Sequence, residues 1–217
     1  MRTKITGGSF LPRARLSWLL VFLSAFVVAI IVGPVKSATF TVVSAGDTDD
    51  LNPGDGICGG IFRIDDFILF YPCTLRAAIS EINALPPPAP GTHHTINFNI
   101  GYGVQTICVG GVMISSGCAP SSGLGFPPIT QPVVIDGSTQ QNLLLGTVMH
   151  PRRTVSCTKV TGRPCIQLDG TNAGASDGLT LGAAPGSIIA AIITTHMTKI
   201  SAAYGSTRTA SPLSARR

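Results

Sequence analysis

Charged side chains are scarce in this chain: Asp, Glu, Lys and Arg make up 12% of its 217 residues, and the aromatics only 6%. Gly and Pro are plentiful instead, with 25 and 16 residues, a composition that suits short strands joined by many turns better than a helical bundle. A nucleic-acid partner needs a concentrated basic surface, yet residues 38–150 carry only Arg63 and Arg76 against seven Asp and Glu81. The basic residues of the C-terminal part, such as Arg152, Arg153, Lys159 and Arg163, are scattered without interleaved aromatics and read as solvated surface. No His-Glu-x-x-His motif and no Gly-x-x-x-x-Gly-Lys phosphate loop is present. The cysteines form no CxxC knuckle and have no nearby His, which argues against zinc.

What the sequence does have begins at the N-terminus. Arg2, Lys4, Arg13 and Arg15 precede an apolar run at 18–32 broken only by Ser24, and Gly33-Pro34 ends it before the small residues Ser37 and Ala38. The run is shorter than the ~20 residues of a spanning helix and has the layout of an export leader, 1–37, with cleavage after Ser37 and Val35 at the −3 position. An uncleaved N-terminal anchor is the alternative, and the leader is the only membrane contact expected. Residues 1–37 hold five of the 15 basic residues and none of the 10 acidic ones, so the basic pI belongs to the leader.

Cys58, Cys73, Cys108, Cys118, Cys157 and Cys165 all lie beyond it. An even count behind an export signal favours disulfides. Of the 15 connectivities that six cysteines allow, nearest-neighbour pairing is preferred, because each pair brackets a short turn-rich segment that would otherwise be floppy.

Along the chain, 39–43 is a β-branched strand signal, and 47–56 consists almost wholly of turn residues. Leu75, Ala78, Ile79, Ile82 and Leu85 recur at helical spacing, with Thr74 as N-cap and Pro86-Pro87-Pro88 as the stop. Residues 95–100 alternate cleanly, Ile96, Phe98 and Ile100 facing one way. Further strands are expected at 104–109, 133–135, 165–168, 179–181 and 188–193. Two of these end in Asp-Gly, at Asp136-Gly137 and Asp169-Gly170, and Asp177-Gly178 precedes a third, as a stacked coil with recurring corners would produce if each Gly adopts φ > 0.

Among candidate sites, Asp47, Asp49, Asp50, Asn52 and Asp55 offer closely spaced oxygen ligands for Ca²⁺, but they also fit an Asx-rich turn, which is the favoured reading. Apart from that Ca²⁺ candidate, no cofactor is expected, and no residue is assigned a catalytic role. Arg76 reads as a structural ion-pair donor to Glu81 or to the loop carboxylates. His93 and His94 point to opposite faces of an extended segment and make a poor metal pair.

The order Thr-Phe-Thr-Val, Asp49-Asp50, Asn52-Pro53-Gly54-Asp55-Gly56, Cys58, Cys73-Thr74-Leu75-Arg76-Ala77-Ala78-Ile79, Glu81, Asn83-Ala84 and Thr95-Ile96-Asn97-Phe98 resembles the CSLREA-type N-terminal module of secreted bacterial proteins. Thr74 and Ala77 replace that module's namesake Ser and Glu. The resemblance covers about 38–182 and implies a mainly β fold: the start of a right-handed parallel β-helix with one N-terminal capping α-helix. It implies a capping module over 38–100 and first coils over 101–193, whereas the Ser/Ala/Thr/Arg-rich stretch 194–217 departs from that pattern and reads as an irregular or disordered tail. Many further coils would then follow Gly182, so the expectation is a shortened version of a longer helix, by truncation or frameshift. The implied role is a secreted or cell-surface, non-catalytic structural module, with a surface glycan or protein as partner. The alternatives are a polysaccharide lyase or hydrolase, whose carboxylates Asp136, Asp169 and Asp177 read better as turn residues, and a Ca²⁺-dependent binding module.

Overall fold

The structure, a computed structural model, describes residues 36–64, 67–115, 117–120, 124–144, 153–157, 161, 163–174, 178–182, 184–196 and 201–202. The leader through residue 35, Asp177 and residues 203–217 lie outside them.

Strand β1 (Thr39–Val42) is followed by a hairpin, β2 (Gly60–Ile64) and β3 (Phe67–Tyr71), and by helix α1 (Leu75–Ala84). Next come β4 (His94–Phe98), β5 (Gln105–Cys108) and a second hairpin, β6 (Gly111–Ile114) and β7 (Gly117–Pro120). β8 (Val133–Asp136) leads through a 3-10 turn (Gly137–Thr139) into a third hairpin, β9 (Gln141–Leu144) and β10 (Arg153–Ser156). The chain continues as β11 (Ile166–Asp169), β12 (Thr180–Leu181), β13 (Ile188–Ala190), β14 (Ile192–Thr195) and β15 (Ser201–Ala202).

Among the described residues, every strand pairing outside the hairpins is parallel. One sheet has the order β1-β4-β8-β13 and another β14-β11-β5, while β12 pairs with β15 and Ile129 bridges Leu181. From β4 onward the chain visits these three surfaces in a fixed cycle: β4, β5, Ile129, then β8, β11, β12, then β13, β14, β15. Alternation decides which side chains face inward. Phe40, Ile96, Ile135 and Ile189 stand in register across the first sheet, all buried. Ile107 and Leu168 do the same in the second, and Ile129 and Leu181 in the third. Each fully buried aliphatic of this kind contributes roughly 1.5–3 kcal/mol, so the stacked ladders form one core.

Helix α1 packs on β1 and β4 at one end of this core. Leu75, Ala78, Ile79 and Ile82 are buried against it. Thr74 caps the helix, its Oγ1 accepting from the Ala77 amide at 3.0 Å and donating to the Thr48 carbonyl.

Several expectations change. The segment between Cys58 and Cys73 is not a floppy loop but holds the β2/β3 hairpin. The run 188–193 is not one strand: it breaks at Ala191, whose φ of 54° turns the chain from the first sheet to the second. Strand β4 stops at Phe98, because the buried Gln140 side chain takes the backbone of Ile100, accepting from its amide at 3.0 Å and donating to its carbonyl at 3.2 Å. Strands β14 and β15 extend regular pairing into the stretch expected to be an irregular tail.

The Asp-Gly corners also differ in cause. Gly137 does not have positive φ. What demands glycine there is the Ala191 carbonyl of the next circuit, which would lie 2.2 Å from an added Cβ. Both Asp residues serve as local caps: Asp136 accepts from the amide and hydroxyl of Ser138, and Asp169 does the same for Thr171. Gly137→Ala is therefore expected to destabilise by about 1–3 kcal/mol through overpacking, read as a lower urea midpoint. An unchanged midpoint would mean the two corners are not in contact.

Candidate functional site

Three residues singled out in the sequence, Thr74, Arg76 and Glu81, lie on or just before α1. Thr74 and Arg76 stand at its start, Ser80, Glu81 and Asn83 further along, and together they fix the loop 47–59 on one side and the segment 124–130 on the other.

Arg76 is 8% exposed. Its guanidinium holds Asp47 through two bonds, Nε to Oδ1 at 3.0 Å and Nη2 to Oδ2 at 2.7 Å. It also donates to the Leu124 and Gly125 carbonyls, both at 2.9 Å, and sits 5.4 Å from the centre of the Phe126 ring. Asp47 accepts a further bond from the Gly110 amide at 2.7 Å. This is the planar, bidentate geometry for which arginine is suited. Of the two expected partners, then, the loop carboxylate is the real one and Glu81 is not. Residues five apart on a helix point in widely different directions, unlike those three or four apart.

Glu81 is fully buried and faces the loop, its two oxygens each accepting from a backbone amide, Gly54 and Gly56, at 2.5 Å. Asp50 accepts from the Asn52 and Gly59 amides at 3.0 and 3.1 Å. Gly59 has φ of +88°, and an added Cβ would meet the Tyr71 carbonyl at 2.3 Å. Asp49 accepts from Ser80 Oγ, and Asp55 from the Ile57 amide and Asn52 Nδ2. Each carboxylate of the Ca²⁺ candidate set is thus already bonded to donors of the fold. Among the described residues no group of three or more His, Cys, Asp or Glu is arranged to hold a metal. The loop has the chemistry of an Asx-rich turn clasped by α1.

Cys58 and Cys73 close this unit with Cα atoms 5.0 Å apart, and the Cys73 carbonyl accepts from the Val43 and Ser44 amides just after β1. The other bridges are Cys108–Cys118, tying β5 to β7, and Cys157–Cys165, joining the exit of β10 to the start of β11. All three pair nearest neighbours.

The chain matches no protein-family model, no curated protein and no solved structure.

Three polar side chains, Gln140 and His94 buried and Asn83 half-buried, hold backbone groups in ways the sequence does not announce. Asn83 donates to the Pro128 carbonyl at 2.8 Å and accepts from the amide and hydroxyl of Thr130, so α1 extends the pairing of the third surface. Gln140 plugs the corner after β4, as described above. His94 faces inward from the start of β4, fully buried, with Nδ1 accepting from the Ala38 amide at 3.0 Å and Nε2 without a partner. Only its odd-even register with Ile96 and Phe98 marks it in the sequence as inward. Asp136 and Asp169 belong to different sheets and do not converge. His196, at φ 56°, places Nδ1 3.1 Å from Asp169 Oδ1.

Burial pushes the His94 pKa below its ordinary 6.5, offset in part by the Pro86 carbonyl. The unfolded ring titrates near 6.5 while the folded one stays neutral to lower pH, so the unfolded state binds more protons in that window. Stability is therefore present above about 6.5 and falls as pH drops towards the folded pKa. For Asp169, burial raises the pKa, but bonds from Thr171 and from His196 outweigh it and the net direction is down. Its contribution holds above the usual carboxylate range and is lost on further acidification. The urea midpoint is expected to drop between pH 7 and pH 5, and His94→Gln to flatten that drop. Equal slopes in both proteins would place the titrating group elsewhere.

Proposed function

We propose that this chain is an exported structural module: the first coils of a right-handed parallel β-helix, closed at one end by a CSLREA-like cap. The observation that carries the reading is the cycle of strands through three parallel surfaces with aliphatic ladders inside, since stacked coils bury a continuous core in this way. Helix α1 would cover the edge of the first coil, protecting strands that could otherwise pair with other chains. The three disulfides are in keeping with an oxidising, extracellular setting, and among the described residues no helix is long and apolar enough to cross a membrane.

The role proposed is non-catalytic, at the cell surface or in the secreted fraction, with a surface glycan or protein as partner. Polysaccharide cleavage needs convergent carboxylates on one face, and Asp136 and Asp169 are engaged as corner caps on separate sheets. A Ca²⁺-dependent role would have to displace the Arg76 and amide donors from the loop. The test is to fractionate cells producing the full chain and to incubate the purified protein with acidic polysaccharides. Recovery at the surface or in the medium without new oligosaccharides supports the reading. Release of oligosaccharides, or retention inside the cytoplasm, would overturn it.

A further inference from the structure

Ala38 is held at both backbone groups where the chain enters the fold. Its carbonyl accepts from the Thr95 amide at 2.9 Å, and its amide donates to His94 Nδ1 at 3.0 Å. Lys36 and Ser37 immediately before it are exposed, whereas Ala38 itself is half-buried. The small residues Ser37 and Ala38 also mark the cleavage position read from the leader. The point where the fold begins and the point where the leader ends therefore coincide at one peptide bond.

We propose that His94 is the receptor for the processed N-terminus, an inference that rests on the export reading above. Hydrolysis of the Ser37–Ala38 bond consumes one water, leaves the Ser37 carboxylate on the departing leader and frees the Ala38 α-amino group on the folded chain. That amine protonates to an ammonium and inherits the amide's place beside Nδ1. The ammonium donates one hydrogen to the imidazole and turns its other two to the side vacated by residues 36 and 37.

The ring is suited to this. With Nδ1 accepting, the proton resides on Nε2, which is fully buried without a partner, so the ring stays a neutral acceptor. The Pro86 carbonyl lies nearby without reaching hydrogen-bond geometry. A charge-assisted bond replaces a neutral one, which is the stronger kind. Cleavage would then tighten the entry of β1, whose register with β4 starts at Thr39 and Thr95. His94 is a positioning residue in this scheme, not a catalytic one.

The full chain is produced in an export-competent bacterial host, its N-terminus is read by intact mass, and the α-amine is labelled with acetic anhydride at neutral pH, folded and in urea. A mature terminus at Ala38 is expected, labelled about tenfold more slowly in the folded protein, the scale of one hydrogen bond to a charged group. His94→Leu should bring the folded rate up to the unfolded one, and His94→Asn, which keeps an acceptor, should retain part of the protection. If the terminus is Ala38 but folded wild-type protein labels at the unfolded rate, the His94 inference fails and the export reading stands. A chain that keeps residues 1–37, or is cut at another bond, overturns the His94 inference alone, and one that keeps them and stays in the cytoplasm overturns the export reading as well.

Discussion

Replacing Arg76 with alanine is expected to cost about 3–5 kcal/mol, the loss seen when one partner of a buried ion pair is removed. The cause is Asp47, whose side chain is 2% exposed and whose two oxygens both face the guanidinium. Without Arg76 a carboxylate stays buried with, among the described residues, the Gly110 amide to stabilise it, and the Leu124 and Gly125 carbonyls each lose the bond from the guanidinium. Adding Asp47→Asn should return part of the loss, because the double variant no longer buries an unpaired charge. Urea denaturation of the four proteins provides the cycle. A loss below about 1 kcal/mol for Arg76→Ala would put the pair in the class of exposed salt bridges and contradict its place as the link between α1, the loop 47–59 and the segment 124–130.

Removing the Cys58–Cys73 bridge by Cys58→Ala with Cys73→Ala is the second large effect. The bridge closes a loop of 15 residues, for which the chain-entropy account gives about 3 kcal/mol. The structure adds a local reason. An isolated two-stranded hairpin is marginal in water, and β2/β3 exposes Ile61, Ile68 and Phe70 at 65, 55 and 70% rather than burying them in the core. The bridge is what holds its two ends beside α1. The variant should lose hydrogen-exchange protection in β2 and β3 before losing it in β4 and β8. Uniform loss across all four strands would show that the hairpin and the ladders unfold as one unit.

The core ladders were legible because burial imposes a period on the sequence. Phe40 and Val42, Ile96 and Phe98, and Val133 and Ile135 alternate with outward residues, and α1 shows its stripe with Thr74 before it and prolines after it. The first hairpin was not legible for the same reason in reverse: Ile61, Ile68, Leu69 and Phe70 are all exposed, so burial imposes no alternation on them. The run 188–193 hid a corner because positive φ falls on Ala191, a residue without the usual turn preference, while the neighbouring circuit supplies the glycine at 137. At the candidate site, the residue types of the clamp were readable but the pairing was not. Helix geometry alone separates Arg76 from Glu81, yet which loop group each one meets depends on how 47–59 folds back. Gln140 and His94 are polar residues in inward positions, where their partners are backbone groups of Ile100 and Ala38 that carry no side-chain signal.

The strands from β4 onward return in parallel register to the same three surfaces. Backbone nuclear Overhauser contacts in the oxidised, isotope-labelled protein test it most directly. Parallel-strand contacts are expected to join Ile96 to Ile135, Ile135 to Ile189 and Ile107 to Leu168. Antiparallel cross-strand contacts between these segments, as a sandwich of hairpins would give, would contradict it.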